Sequence, residues 1–282
     1  MDLSVNRIIK RIVSVIICSF LFSAQAYAWT IFSDFESGTV GERSTFADGM
    51  GGRAMTFISD KYALNGNQSL EFGIVQGTEG KEWGGRMEFP TALKEGDELW
   101  LRIFYYFPVG FDFTAGGSGL KLSRVHTTSP SGAHEAYITL HAQGNIGMGN
   151  SVGGDLFVQN NPGESGRKGG ETIPKGEWHA IEHYLKFHSE PGKAKYRVWQ
   201  NGKLVFEDTL TNTLESSSSL VRGYAMFTYW NGNAPQTQQN YIDDIAVTNN
   251  VPSNTDSFGN SYIGVGDFVT MARPKPPLLT IE

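Results

Sequence analysis

Three side chains that carry or can carry positive charge lie within six positions in the β-like stretch GGSGLKLSRVHTT: Lys121, Arg124 and His126. Arginine is always charged and grips a carboxylate with two donors, so Arg124 is the expected neutraliser of an anion, with Arg102 as a second candidate. Lys121 and Arg124 are three residues apart and cannot share a face of a regular strand. Either a bulge intervenes, or only one of the two lies in the site.

A second group lies in the stretch EAYITLHAQ, which alternates along a predicted strand. The alternation places Tyr137 and His141 on one face, where we expect them about 6–7 Å apart along the strand, a separation that suits a neutraliser or base beside an acid on one sugar ring. The opposite face is predicted to be core and contains Ala136, Ile138, Leu140 and Ala142.

The stretch LWLRIFYYF alternates as well. Its predicted core face consists of Leu99, Leu101, Ile103, Tyr105 and Phe107. Its other face carries Trp100, Arg102, Phe104 and Tyr106. Rings with hydrogen-bonding groups favour a groove for sugars, because flat rings stack on the apolar faces of pyranoses. The alternative is that these rings merely cover a sheet.

The first 28 residues have the features of a secretory signal peptide: basic residues, an apolar run and small residues at Ala26 and Ala28. The run is too short to span a membrane, so we predict a secreted or periplasmic protein. Cys18, the single cysteine, lies in this segment, and the mature chain therefore relies on its core. Removing a segment of net charge +2 takes the formal charge from −6 to −8, which disfavours a nucleic-acid partner.

After the signal peptide there is no long helical period, and short strands recur between turn signals. This pattern favours an all-β fold, a two-sheet antiparallel β-sandwich of the jelly-roll type. The stretch KYRVWQNGKLVFED is a predicted hairpin in which Asn201 and Gly202 form a type I′ turn. We expect a monomer with one domain over residues 29–267 and a proline-broken tail at 268–282.

Four stretches carry a family resemblance: LWLRIFYYFPVGFDFTAGGSGLKLSRV, GEWHAIEHYLKFHSEPGKAKYRVWQNGKLVFED, YAMFTYWNGN and YIDDIAVT. The first resembles a strand, a Phe-Pro turn and a glycine-led strand with a Lys in the cleft. The second resembles a strand beginning Gly-x-Trp and its hairpin, and the others resemble the two last strands. Together they resemble secreted jelly-roll polysaccharide lyases of the alginate and glucuronan lyase type, in the concanavalin A-like lectin/glucanase superfamily. Lys121-Leu122-Ser123-Arg124 stands where such lyases often have Lys-Leu-Pro-Gly.

The resemblance implies an enzyme that cleaves an acidic, uronic-acid-containing polysaccharide by β-elimination. This reaction needs a cation that neutralises the carboxylate, a base near C5 and an acid near the leaving oxygen. The catalytic candidates are Arg124, Tyr137, His141 and Lys121. The substrate-binding candidates are Arg102, Tyr106, His126, Tyr229 and Trp230.

Two other functions stay open. A non-catalytic lectin-like module would need aromatic platforms only. A glycoside hydrolase of the same superfamily would need two carboxylates about 5–5.5 Å apart on one strand. Glu135 and Glu182 lie on separate predicted strands, while the adjacent Asp243 and Asp244 are expected to point to opposite faces. Hydrolysis is therefore the weakest of the three hypotheses.

The stretches SDFESG and YIDDIAVT form a different pair. The resemblance to jelly-roll carbohydrate-binding modules implies a structural Ca²⁺ ion that joins Glu36 to Asp243 or Asp244, with Asn67 as a further ligand. Calcium takes six to eight hard oxygens, including backbone carbonyls. The alternative is that these acids cap turns at the sheet edge.

Overall fold

A computed structural model describes most of the predicted domain. The described residues are 28–44, 50–80, 82–113, 120–143, 155–160, 164–230 and 233–266. The predicted signal peptide, apart from Ala28, and the predicted tail lie outside them. Within the described part of the chain, no helix has the length and apolar character that a membrane span requires.

Two large antiparallel sheets contain most of the described strands. The first sheet consists of β1 (Thr30–Ser33), β3 (Thr56–Ser59), β4 (Ser69–Ile74), β6 (Glu98–Tyr106), β11 (Trp178–Lys186), β12 (Lys195–Gln200), β13 (Lys203–Asp208) and β15 (Gln238–Thr248). The second sheet consists of β2 (Met50–Gly52), β5 (Gly85–Leu93), β7 (Leu120–Thr128), β8 (His134–Gln143), β9 (Asp155–Asn160), β10 (Glu164–Thr172) and β14 (Leu220–Trp230). A short ribbon is formed by β16 (Asn254–Thr255) and β17 (Ser261–Tyr262).

The strand order shows how distant stretches meet. The first sheet runs β13-β12-β11-β6-β15-β4-β3, with β1 paired to β15, and the second runs β10-β9-β8-β7-β14-β5-β2. The first strand of the domain pairs with its last long strand. All four residues of β1 pair with β15, from Thr30 opposite Thr248 to Ser33 opposite Ile245. The prediction of an all-β, two-sheet antiparallel jelly roll is confirmed.

The core lies between the sheets and follows the predicted alternation. The expected core faces of β6 and β8 are buried, with Leu101, Tyr105 and Ile138 each no more than 2% exposed. Burial of one such side chain contributes about 1.5–3 kcal/mol to stability. The predicted hairpin is also present: Asn201 and Gly202 have φ angles of 46° and 78° between β12 and β13, as a type I′ turn requires.

The outward face of the first sheet is partly covered by residues 254–266, which we term the C-terminal strap. Arg102 Nη1 donates to the carbonyl oxygens of Gly264 and Gly266, at 2.7 and 3.0 Å. Trp100 Nε1 donates to the carbonyl oxygen of Ser261 at 3.0 Å. The prediction that this part of β6 lines a sugar groove is therefore wrong for Trp100 and Arg102, because the chain itself occupies that face.

Candidate functional site

A bulge in β7 decides which of its side chains share a face. The cross-strand register with β8 passes from Lys121 opposite His141 to Ser123 opposite Leu140. Strand β7 therefore advances by two residues while β8 advances by one, and Leu122 is the extra residue. Of the two alternatives that the sequence left open, a bulge between Lys121 and Arg124 is the one present.

The bulge turns two successive side chains of β7 into the sandwich. Leu122 is fully buried in the core, and Ser123 Oγ lies 3.3 Å from Nε2 of the buried His183. The alternation then resumes with the opposite parity, so Lys121 and Arg124 are both only partly buried and lie on the same outward face. Their side chains are close enough for the charge of Arg124 to act on Lys121.

The ring of Tyr137 is the centre of the group on this face. The guanidinium carbon of Arg124 lies 4.2 Å from the ring centroid, which is a cation–π geometry. The rings of His126 and His134 approach Tyr137 with centroid distances of 4.9 and 4.1 Å. The predicted residues Arg124, Tyr137 and His126 are thus brought together, and His134 joins them.

The surroundings give these groups different charges near neutral pH. Partial burial, helped by the charge of Arg124, lowers the pKa of Lys121 to about 8. Burial and then the charges of Arg124, His134 and Arg86 lower the pKa of His126 to about 4. Arg124 therefore carries a fixed positive charge, His126 is neutral, and Lys121 can exist as a free amine in weakly alkaline solution.

For His141 and Tyr229 the structure describes only register positions. Lys121 lies opposite His141 on one side and opposite Tyr229 on the other. Tyr137 and His141 are four positions apart in β8, so their Cα atoms lie about 13 Å apart along the strand and are not adjacent positions of that face. That both serve one ligand stays a prediction. Lys121 is therefore the strand partner of His141, while Arg124 contacts Tyr137.

Arg86 is a site residue that sequence reasoning missed. In the second sheet Arg86 lies opposite Ala225, and Ala225 lies opposite Arg124. Two strand spacings put the two arginines about 9–10 Å apart across the sheet, with a small residue between them. The side chain of Arg86 is 60% exposed and pairs with Glu88 at 2.5 Å. The only sequence signal for Arg86 was the alternation of GRMEF. A single Arg on a half-exposed strand is common, so this signal did not indicate a site.

Three predicted substrate-binding residues lie away from this group. Trp230 is fully buried in the core, stacked with Phe111 at a centroid distance of 6.2 Å. Arg102 is held under the C-terminal strap, and Tyr106 lies on the outward face of the first sheet, at the other side of the sandwich. Aromatic residue type alone did not distinguish core from cleft.

The predicted calcium ligands surround one loop, residues 60–68. Glu36 Oε1 accepts hydrogen bonds from the backbone N–H groups of Asn67 and Gln68, at 2.9 and 2.7 Å. Asp243 Oδ2 accepts from Leu64 N at 2.9 Å, and Asp244 Oδ2 accepts from the Asn65 side-chain amide at 2.5 Å.

The expectation that Asp243 and Asp244 point to opposite faces is wrong. The register of β15 shifts between Asp243 and Ala246, and Asp244 has a φ of 44°, so a bulge turns both carboxylates toward the same loop. Burial raises the pKa of Asp243 to about 7, and the charge of Asp244 adds to the shift.

The residues around this loop fit a calcium ion in part. The described residues contain no group of three metal-binding side chains close enough to share an ion. Calcium would therefore be held by one or two of these carboxylates together with carbonyl or amide oxygens, as its preference for many hard oxygens allows.

The fold is a two-sheet jelly roll, and the outward face of its second sheet carries Arg86, Lys121 and Arg124. No family model matches the chain, and no curated protein matches its sequence. A mutant of the alginate lyase Aly36B in complex with an alginate trisaccharide has a TM-score of 0.58 at 15% identity, covering 79% of this chain and 98% of that one.

Two further solved structures are similar over comparable lengths. The endo-beta-1,4-glucuronan lyase from the fungus Trichoderma reesei has a TM-score of 0.56 at 14% identity, covering 79% of this chain and 95% of that one. The marine PL-14 alginate lyase from Aplysia kurodai has a TM-score of 0.53 at 15% identity, covering 78% and 97%. The fold of this chain is thus the jelly roll found in solved alginate and glucuronan lyases.

Proposed function

We propose that the protein is a polysaccharide lyase that cleaves an acidic, uronic-acid-containing glycan such as alginate or glucuronan. The observation that carries the proposal is the side-chain group on the second sheet: Arg124 lies 4.2 Å from the ring centroid of Tyr137, and Lys121 on the same face has a pKa lowered to about 8. A permanent cation, an amine and a phenol can supply the neutraliser, the base and the acid that β-elimination from a uronate requires. The likeness in fold to solved alginate and glucuronan lyases supports it.

The chemistry assigns a role to each group. Arg124 pairs with the substrate carboxylate and stabilises the negative charge that develops on it as the C5 proton leaves. The Lys121 amine takes that proton, the electron pair forms the C4–C5 double bond, and the C4–O bond breaks. The leaving oxygen receives a proton from the Tyr137 hydroxyl. Tyr137 then regains a proton from water and the Lys121 ammonium releases one to water, which restores both groups. The products are a new chain end and an unsaturated uronate.

The test is incubation of the mature protein with a panel of uronic-acid polymers, read as the ultraviolet absorbance of the unsaturated product. Absorbance that rises with one or more of these polymers and not with neutral glucans is expected. No rise on any polymer, together with retention of glycans on an affinity gel, would instead support the lectin-like alternative.

We further infer a secreted or periplasmic location and a structural Ca²⁺ ion. The location follows from the predicted signal peptide and suits an enzyme whose substrate is an extracellular polymer. Expression in a secreting host tests the location. The mass of the exported chain shows whether the signal segment has been removed. The ion is supported by the three carboxylates around residues 60–68, and its test is given at the end of the Discussion.

A further inference from the structure

A row of side chains crosses the outward face of the first sheet, opposite to the face that carries Arg124. Cross-strand register places Trp178 of β11 beside Tyr106 of β6, and Tyr106 beside Tyr241 of β15. Tyr241 lies beside Glu71 of β4, which lies beside Phe57 of β3. Four strand spacings make this aromatic row about 19 Å long.

The rings of the row contact one another, and one loop residue extends them. Tyr62 lies over Tyr106 with a centroid distance of 4.3 Å and an interplanar angle of 25°, and its distance to Tyr241 is 4.9 Å. Trp178 lies 5.5 Å from Tyr106 on the other side. Tyr62 is 38% exposed, while Trp178, Tyr106 and Phe57 are partly exposed. Tyr62, Tyr106 and Trp178 thus form a set of contacting, partly exposed rings, while Tyr241 beneath them is buried and Glu71 separates Tyr241 from Phe57.

The loop that presents Tyr62 is fixed in place. Asp243 accepts from Leu64 N, and Glu36 accepts from the backbone N–H groups that follow Gly66. Gly66 has a φ of 73°, and a Cβ there would lie 2.5 Å from the Glu36 carboxylate, so only glycine lets the loop approach this closely. A ring held on such a loop binds with little further loss of conformational entropy.

The chemistry of the row matches a sugar chain better than a protein surface. Its apolar groups are flat rings, several with polar tips, rather than branched aliphatic side chains. Between the rings lies Glu71, which accepts from Ser59 Oγ at 2.9 Å and pairs with Lys61 at 3.6 Å. Fixed rings with interspersed hydrogen-bonding groups bind the apolar faces and hydroxyls of pyranoses.

The charge of the row separates it from the site around Arg124. Among the described residues of this row, the Glu71 carboxylate pairs with the Lys61 amine, so this pair carries no net positive charge that would attract a polyuronate. The neighbouring half of the same face is occupied by the C-terminal strap, whose Ile263 packs with Trp100 and Trp199. Among the described residues, no segment covers Tyr62 and Trp178 in that way.

We propose that the aromatic row and Tyr62 form a second glycan-binding surface, specific for uncharged polysaccharides built from pyranoses. Bound there, a neutral chain would anchor the protein while the opposite face remains open to an acidic glycan. This surface is independent of the proposed lyase activity, because it shares no residue with the group around Arg124.

The test is affinity gel electrophoresis of the mature protein in gels containing hydroxyethylcellulose, xyloglucan or arabinoxylan, with alginate as the acidic comparison. Retardation by at least one neutral polymer is expected. Tyr62→Ala and Trp178→Ala should each weaken that binding roughly tenfold, while Tyr62→Phe, which keeps the ring, should retain most of it. Arg124→Ala should leave it unchanged.

The control is Phe258→Ala, which removes a 76% exposed ring from the C-terminal strap and should migrate like the parent. Melting midpoints of all variants separate lost binding from lost folding. The proposal is overturned if no neutral polymer retards the parent, or if Tyr62→Ala and Trp178→Ala bind as the parent does. It is equally overturned if Phe258→Ala weakens binding as strongly, since the effect would then be a general one of exposed rings.

Discussion

At the scale of single residues, Arg124 carries the largest predicted effect on activity. Arg124→Ala should lower kcat/KM by an amount equal to about 2–4 kcal/mol, by analogy with the deletion of one donor to a developing oxyanion. Arg124→Lys keeps the charge but loses the two-donor fork, so it should recover only part of the activity. Steady-state kinetics on the best uronate polymer measure both variants.

Folding of these variants provides the control for Arg124. The side chain lies on an outward face and buries little core area, so the melting midpoint should change little in either variant. If Arg124→Ala cleaves the polymer as fast as the parent, Arg124 is a solvated residue of the sheet and the proposed role is wrong.

A second residue-scale prediction concerns Lys121 and pH. The amine is the reactive form, and its pKa is about 8, so kcat/KM should rise as pH increases through about 8 and then level off. Lys121→Ala should abolish this limb of the pH profile together with most of the activity. A profile that is flat between pH 6 and 9 in the parent would assign the base to another group.

Arg86 gives a prediction that separates binding from chemistry. It lies about 9–10 Å from Arg124 and should contact a carboxylate of a neighbouring sugar rather than the reacting one. Arg86→Ala should therefore raise KM several-fold and change kcat by less than twofold. Arg53→Ala, which removes another exposed arginine, is the control. A fall in kcat with unchanged KM would place Arg86 at the reaction centre instead.

At the scale of elements, the strands and their faces could be predicted because alternation reports burial directly. The core faces of β6 and β8 and the turn at Asn201 and Gly202 are in the expected places. The bulge at Leu122 could not be predicted, because an extra residue leaves the composition of the strand unchanged while it reverses the parity beyond it. The same limit applies to Asp243 and Asp244 in β15.

The error over Arg102 has a different physical cause. Sequence alternation predicts that a face is outward, but it does not say what covers that face. Here the strap, whose sequence is turn-rich, supplies backbone partners for both Arg102 and Glu182. An outward face with Trp, Arg and Tyr can therefore be a second, smaller core, as it is around Trp100 and Trp199.

The strap leads to a stability prediction. Glu182 accepts from the backbone N–H groups of Ile263 and Gly264 and lies opposite Arg102 in the sheet, where it is almost fully buried. Arg102→Ala would remove a positive charge that favours the ionised form of Glu182 and would leave two carbonyl groups without their donor, so the free energy of unfolding should fall by about 1–3 kcal/mol.

Urea denaturation measures the effect, and Arg222→Ala, which removes an exposed arginine, serves as the control. The Arg102→Ala protein that remains folded should keep its activity on uronate polymers, because Arg102 lies on the sheet opposite to the candidate site. A loss of activity without a loss of stability would instead return Arg102 to the list of substrate-binding residues.

At the scale of the whole molecule, the sandwich presents two chemically different faces. The outward face of the second sheet gathers Arg86, Lys121 and Arg124 in a chain whose formal charge is −6. Such a local basic surface draws a polyanion to one place on an otherwise acidic protein, and salt weakens this attraction. The outward face of the first sheet is aromatic and nearly neutral where Tyr62 and Trp178 lie. The two surfaces are separated by the core, so the two proposed glycan sites would not exclude one another.

The last prediction concerns the proposed calcium ion, which would join the closing strand to the start of the domain and fix the loop that carries Tyr62. Binding to the folded form alone adds stability by mass action, so EDTA should lower the melting midpoint and added Ca²⁺ should restore it. Without the ion, the raised pKa of Asp243 means that stability is lost as pH rises from about 4 to about 7, because the buried carboxylate must ionise. Calcium binds the ionised form, so the difference in melting midpoint between calcium-loaded and EDTA-treated protein should shrink as pH falls from 7 to 5.

The variant Glu36→Gln should reduce that difference in melting midpoint. The control Glu215→Gln, at an exposed position, should not. Equal melting midpoints with EDTA and with Ca²⁺ at pH 7 would show that Glu36, Asp243 and Asp244 hold residues 60–68 by their hydrogen bonds alone.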